Sequence, residues 1–157
     1  MDTSQTFASI NDDLLAKWIA AAVGRIVFVA PGLRTTVADA LVAAIKRLSG
    51  RVTIILDIDA EVCRLGYGDI AGLERIQEAA AQTGVLVLHQ PGVRIGLLIA
   101  DEDTIVFSPA PLLIEAGSTQ PDKPNAIVLQ GAVPPALADA CGLGDLRSRQ
   151  IGLDPVN

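Results

Sequence analysis

The chain has 157 residues, a formal net charge of −6, half of its residues hydrophobic and only 3% aromatic. That is one domain's length, with a core of Ala, Val, Ile and Leu suited to helices packed on a sheet. The acidic balance argues against tight nonspecific binding of a nucleic-acid backbone, and no apolar run reaches about 18 residues without charge or proline, so no membrane span is expected.

Taken in order, Ser9 is predicted to cap a first helix, with Asp12 and Asp13 in its first turn and Leu14, Leu15, Trp18, Ile19 and Ala22 on one face. Gly24 ends it. Arg25 to Ala30 reads as a short buried strand broken by Pro31-Gly32. Thr35 or Thr36 caps a second helix running to about Leu48, with Val37, Leu41, Ala44, Ile45 and Leu48 on one face. Arg51 to Asp57 is a second buried strand, ending in a carboxylate. Residues 58–68 form a longer loop, and Asp69 caps a third helix to about Gln82. Gly84 to Leu88 is a third strand, closed by His89-Gln90-Pro91. Residues 94–100 are apolar enough to be buried on both faces. Asp101-Glu102-Asp103 supplies a turn, and Thr104 to Phe107 are mostly β-branched or aromatic, so 94–108 reads as a hairpin. Pro109 to Glu115 is a helical turn or loop, Gly117 to Pro124 an exposed mobile stretch, Ala126 to Gln130 a last strand and Pro134 to Ala140 a helix.

The expected fold class is α/β: a mixed, mostly parallel sheet flanked by helices, in the order β-α-β-α-β, hairpin, β-α. The domain spans 9–141. Residues 142–157 are a C-terminal tail or the start of a following element in a longer chain. The N-terminal residues are acidic and lack a basic start and an apolar segment, so they are not a secretory signal, and a cytoplasmic location is expected. Cys63 and Cys141 lie in no paired ligand spacing. Reduced thiols are the plain reading, and neither metal nor cofactor is expected.

In such sheets ligands sit outside the carboxyl ends of the strands. There, Pro31-Gly32-Leu33-Arg34-Thr35-Thr36 leads into a helix N-terminus, where Arg34 is placed to clamp a phosphate or carboxylate; the alternative is a capping turn. Neither a Walker loop nor G-x-G-x-x-G is present, so nucleotide binding is not supported by motif. Asp57 and Asp59 read either as paired carboxylates for Mg²⁺ or acid–base work, or as a solvated strand end. His89, the only histidine, has no serine or cysteine nucleophile motif beside it, and a strand-end role is favoured. Arg64 and Tyr67, in a loop with Gly66 and Gly68, suit an interface or a small-ligand clamp, or else plain turns with Tyr67 covering the core edge.

The element order, with Arg25-Ile-Val-Phe-Val-Ala-Pro, Arg51-Val-Thr-Ile-Ile-Leu-Asp and Gly92 to Ser108, resembles one repeat of the phospholipase D superfamily over residues 9–141. That family's hallmark is His-x-Lys-x-x-x-x-Asp followed by a glycine–serine stretch. The resemblance implies a histidine that attacks phosphorus, a second histidine that protonates the leaving group, and lysines that hold phosphate oxygens. Anchored on Asp101, the lysine position is Gly96 and the histidine position is Arg94. The glycine and serine positions fall near Ser108 and Pro109, and the asparagine near Pro111. Arginine stays protonated and cannot be the nucleophile, and glycine offers phosphate no charge. No phosphodiesterase activity by the family mechanism is therefore expected. Arg94, Asp101, Ser108 and Arg34 form the candidate anion site of the degenerate motif; the alternative for Arg94 is an ion pair with Asp101 or Asp103. One repeat is half of the family's two-repeat unit, which implies a homodimer across the hairpin.

Three readings follow. The first is a non-catalytic phospholipase D-like domain serving as a homodimerisation or protein-interaction module. The second is a binding domain for a phosphate-containing ligand or nucleic acid through Arg94, Arg34 and Arg64. The third is an enzyme of other chemistry using Asp57, Asp59 or His89.

Overall fold

The computed structural model describes residues 4–48, 51–59, 66–109, 124–131 and 154–155. Helix α1 spans Asp12–Ala21. Its cap is Asn11 rather than Ser9: the Asn11 side chain accepts the Leu14 N–H at 2.9 Å. The shift has a packing cause. Ile10 is buried in the core with Leu15, the N′/N4 pair of a hydrophobic staple, so the chain turns helical only after Ile10 is seated. The helix also stops before Gly24, with Ala22 at its C-cap. Arg47 donates to the carbonyls of Ile19 and Ala22, both at 3.0 Å. Helix α2 spans Thr35–Leu48. Helix α3 spans Ile70–Thr83, capped by Asp69 as expected and ended by Gly84 in the left-handed region at φ 80°.

The strands are β1 Ser4–Ala8, β2 Ile26–Ala30, β3 Val52–Leu56, β4 Val87–His89, β5 Gly96–Ala100, β6 Asp103–Phe107, β7 Ala126–Gln130 and β8 Asp154–Pro155. They form one sheet in the order β1-β7-β6-β5-β2-β3-β4-β8. The sheet is mixed and flanked by helices, as the sequence implies. Parallel pairing is confined to β2–β3 and β3–β4, each joined through a helix, whereas every other pair is antiparallel. β1 precedes the expected domain start at residue 9, and β8 lies in the tail where no period was expected.

Alternation along the strands makes two cores. Ile26, Phe28, Ile54, Leu56, Leu98 and Ile105 pack with Ile19, Leu41, Ile45 and Ile76 of the helices. Val27, Val29, Ile55, Leu88, Leu97 and Ile99 form a second cluster on the opposite face. The double burial of β5 matches the expectation for a central strand. Among the described residues no helix is long and apolar enough to cross a membrane. Arg64, Cys63, Cys141, Pro111, the expected helix Pro134–Ala140 and nearly all of Gly117–Pro124 lie outside the described residues.

Candidate functional site

The carboxyl ends of β2 and β3 open onto a small hollow of about 20 Å³ lined by Gly32, Leu33, Asp57, Asp59, Gly68 and Asp69 among others. Gly68 permits the close approach: a Cβ there would stand 2.5 Å from the Leu33 amide nitrogen. Beside this hollow stand the charged residues of interest.

Asp57, one residue past β3, is 4% exposed. Its Oδ2 accepts from Arg94 Nη1 and from the Gly92 N–H, both at 2.9 Å, and its Oδ1 accepts the Asp59 N–H at 3.0 Å. Burial pushes the carboxyl up, but the Arg94 bond, the two amides and the Arg94 charge together outweigh it and hold the group below its ordinary value. Gly92 makes this possible, turning at φ 79° after β4. The Arg94 guanidinium also lies over the Tyr67 ring, 5.7 Å from its centroid, within cation–π range. Asp57, Arg94 and Tyr67 thus form one cluster drawn from three loops.

This corrects the expected pairing of Arg94 with Asp101 or Asp103. Arg94 leads into β5, whereas Asp101 follows the strand's last residue, roughly 23 Å of extended chain away. Asp101 does other work at that opposite edge, adopting φ 58°. Its carboxylate accepts the N–H groups of Val23, Gly24 and Arg25 at 3.1, 2.6 and 3.1 Å, and its carbonyl accepts from Arg25 Nε at 3.0 Å. Burial raises this carboxyl, and the three amides with the Arg25 charge pull it below the ordinary range. Asp101 clips the α1–β2 turn to the hairpin and does not join Arg94 in a site. A Cβ at Gly24 would meet Asp101 Oδ1 at 2.9 Å, so a larger residue there would have to displace the carboxylate from its three amides.

Arg34 is internally committed. Its Nε and Nη2 reach Asp12 at 2.7 and 3.3 Å, and its Nη1 donates to the Gly66 carbonyl at 3.2 Å. The expected anion clamp is instead a strap between the N-termini of α1 and α2 and the loop before α3. Ser108 is exposed at the same edge as Arg94, because Gly96 pairs with Phe107; its N–H donates to the Asn125 carbonyl at 2.9 Å. His89 Nδ1 stands 3.1 Å from the Ile58 N–H it accepts, a strand-end role. Asp57 and Asp59 do not act as a free carboxylate pair, since the Asp57 carboxylate already holds Arg94. Among the described residues no group of three or more His, Cys, Asp or Glu gathers as a metal site.

Gly96 shows what fills the start of β5. A Cβ built there would run into the Phe107 ring. That ring packs on Phe28 with centroids 6.4 Å apart. Sequence reasoning named Gly96 but missed Phe107; the signal was a large aromatic directly across the hairpin from a glycine.

No family model matches the chain, and no curated protein matches it by sequence. Solved structures do. Nuc from Salmonella typhimurium, a phospholipase D family member, superposes with a TM-score of 0.62 at 20% identity, covering 99% of each chain. NucT from Helicobacter pylori superposes with a TM-score of 0.52 at 11% identity, again covering 99% of each chain. The chain therefore has the fold of a phospholipase D family member.

Proposed function

We propose that this chain is a non-catalytic phospholipase D-like domain of the cytoplasm that works as a homodimerisation or protein-interaction module. One observation carries the reading: on β5 the position of the family lysine is a glycine covered by the Phe107 ring. The neighbouring histidine position is Arg94, bound to buried Asp57. An arginine held this way neither attacks phosphorus nor gives up a proton.

A second reading has its own support. Arg94 reaches its hydrogen-bond partners through Nη1, and its side chain is 40% exposed. Its Nε and Nη2 edge suits a phosphate-containing ligand, with Ser108 at the same edge.

The test pairs two measurements on the purified chain. Hydrolysis of an activated phosphodiester is expected to be absent, and mass by light scattering is expected to be that of a dimer, unchanged by inorganic phosphate. Turnover that disappears in Arg94→Ala would overturn the non-catalytic reading. Phosphate raising the melting temperature of wild type but not of Arg94→Ala would move the conclusion to the second reading.

A further inference from the structure

We propose that a second copy of this chain pairs onto the outer edge of β1, antiparallel and two-fold about Thr6. This rests on the self-association reading and assigns it a surface other than the hairpin. β1 ends the sheet, and among the described residues it pairs with β7 alone. Its hydrogen-bonding phase follows from one contact: the Asn125 N–H donates to the Ala8 carbonyl at 3.1 Å. Ala8 therefore aims its backbone groups at β7, and by alternation so do Thr6 and Ser4. Gln5 and Phe7 aim theirs at the open edge.

A two-fold axis at Thr6 sets Gln5 opposite Phe7 of the second copy, and Phe7 opposite its Gln5. Each such pair exchanges both N–H···O bonds, so the outward groups of Gln5 and Phe7 in both copies are satisfied together. Edge strands are usually defended by charge, proline or a bulge. Ser4–Ala8 reads SQTFA, with neither charge nor proline. In a chain of net charge −6, this edge brings two copies together without placing acids opposite each other.

The side chains agree. Phe7 is 75% exposed, and its register partner Ile127 is 36% exposed on the same face. The row continues inward through Val106 and Leu97 to Val29. Pairing about Thr6 brings the two Phe7 rings to diagonal positions on that face, where each covers the other and its own Ile127. One short strand and two rings bury less than a standard interface, so the dimer is concentration-dependent.

The experiment is sedimentation across the micromolar range for wild type, Phe7→Lys, Phe7→Pro and Arg94→Glu, with amide hydrogen exchange on wild type. Phe7→Pro removes an outward N–H without taking a donor from the β7 ladder. Both Phe7 variants are expected to weaken dimerisation by at least roughly tenfold, and Arg94→Glu to leave it intact. Amides of Gln5 and Phe7 should exchange more slowly as wild type is concentrated. A dimer that survives both Phe7 variants, or is lost only in Arg94→Glu, or shows no concentration effect at those two amides, overturns the β1 edge and leaves the self-association reading standing. A wild type that stays monomeric overturns both.

Discussion

Replacing Arg94 by alanine leaves the buried Asp57 carboxylate with two amide donors and no counter-charge. A hydrogen bond to a charged group contributes about 1.5–3 kcal/mol. Breaking a fully buried pair costs about 3–5 kcal/mol, but Arg94 sits at the surface, so the lower range applies. We expect a loss of about 2 kcal/mol at neutral pH, or roughly 4–8 °C in Tm for a chain of this size. The pH dependence has a definite sign. The folded Asp57 carboxyl lies below its ordinary value near 3.8. Its contribution is therefore complete above that value and is lost as pH falls through the folded one. Without Arg94, burial is less opposed and proton uptake by the folded state moves to higher pH, so the variant has less carboxylate-linked stability to lose on acidification. Once Asp57 is protonated in both proteins the gap closes. Urea unfolding of wild type, Arg94→Ala, Asp57→Asn and the double variant closes a thermodynamic cycle, with an expected coupling of about 1–2 kcal/mol. Coupling near zero, or an Arg94→Ala cost that does not shrink in acid, would refute the assignment of this pair as the anchor of the cluster.

Asp101→Ala removes the acceptor for three N–H groups and should cost about 2–3 kcal/mol in chemical unfolding. That loss should also fade as pH falls below the ordinary carboxylate range, because the folded carboxyl is held low. Asn125 binds both Ile10 backbone groups, its Oδ1 accepting at 2.7 Å and its Nδ2 donating at 3.0 Å. Asn125→Ala should cost about 1–2 kcal/mol and speed amide exchange at Ile10 and along β1 while leaving α2 and β3 protected. Gly96→Ala should destabilise by about 1–3 kcal/mol through overpacking against Phe107, measured by thermal melt; an unchanged melt would show the ring to be free to move aside.

Much of the architecture was legible in sequence because it is written in local pattern. β2 and β3 are continuous apolar runs, α2 and α3 carry strong faces, and Asp69 and Gly84 mark the ends of α3. β1 was missed because SQTFA contains one large apolar residue and no alternation, as befits an edge. β8 is two residues with a proline, below any periodic signal. Ser9 and Asn11 are equally good caps in isolation, and only the burial of Ile10 decides between them. The turn is tighter than expected because Asp103 pairs with Ala100 inside the hairpin. Of the site, the sequence supplied Asp57, Arg94, Arg34 and Tyr67 but not their partners. Arg94 meets Asp57 across 37 residues and Arg34 meets Asp12 across 22. The register of β3 and β4 makes the first contact, and the convergence of two helix ends makes the second, and neither is encoded locally.

The opposition of Gly96 and Phe107 also limits where this chain can go. A long side chain arriving alone at 96 collides with the ring, while a small residue arriving alone at 107 opens a void over Phe28, at about 3–5 kcal/mol for loss of a core phenylalanine. Either step by itself uses up a large part of an ordinary domain's stability margin. A cation can enter the start of this strand only if both positions change together, so the surrounding sequence space contains few single-step paths toward a basic pocket. The hairpin is thus permissive at its exposed positions, such as Glu102, and costly to change at the Gly96–Phe107 contact.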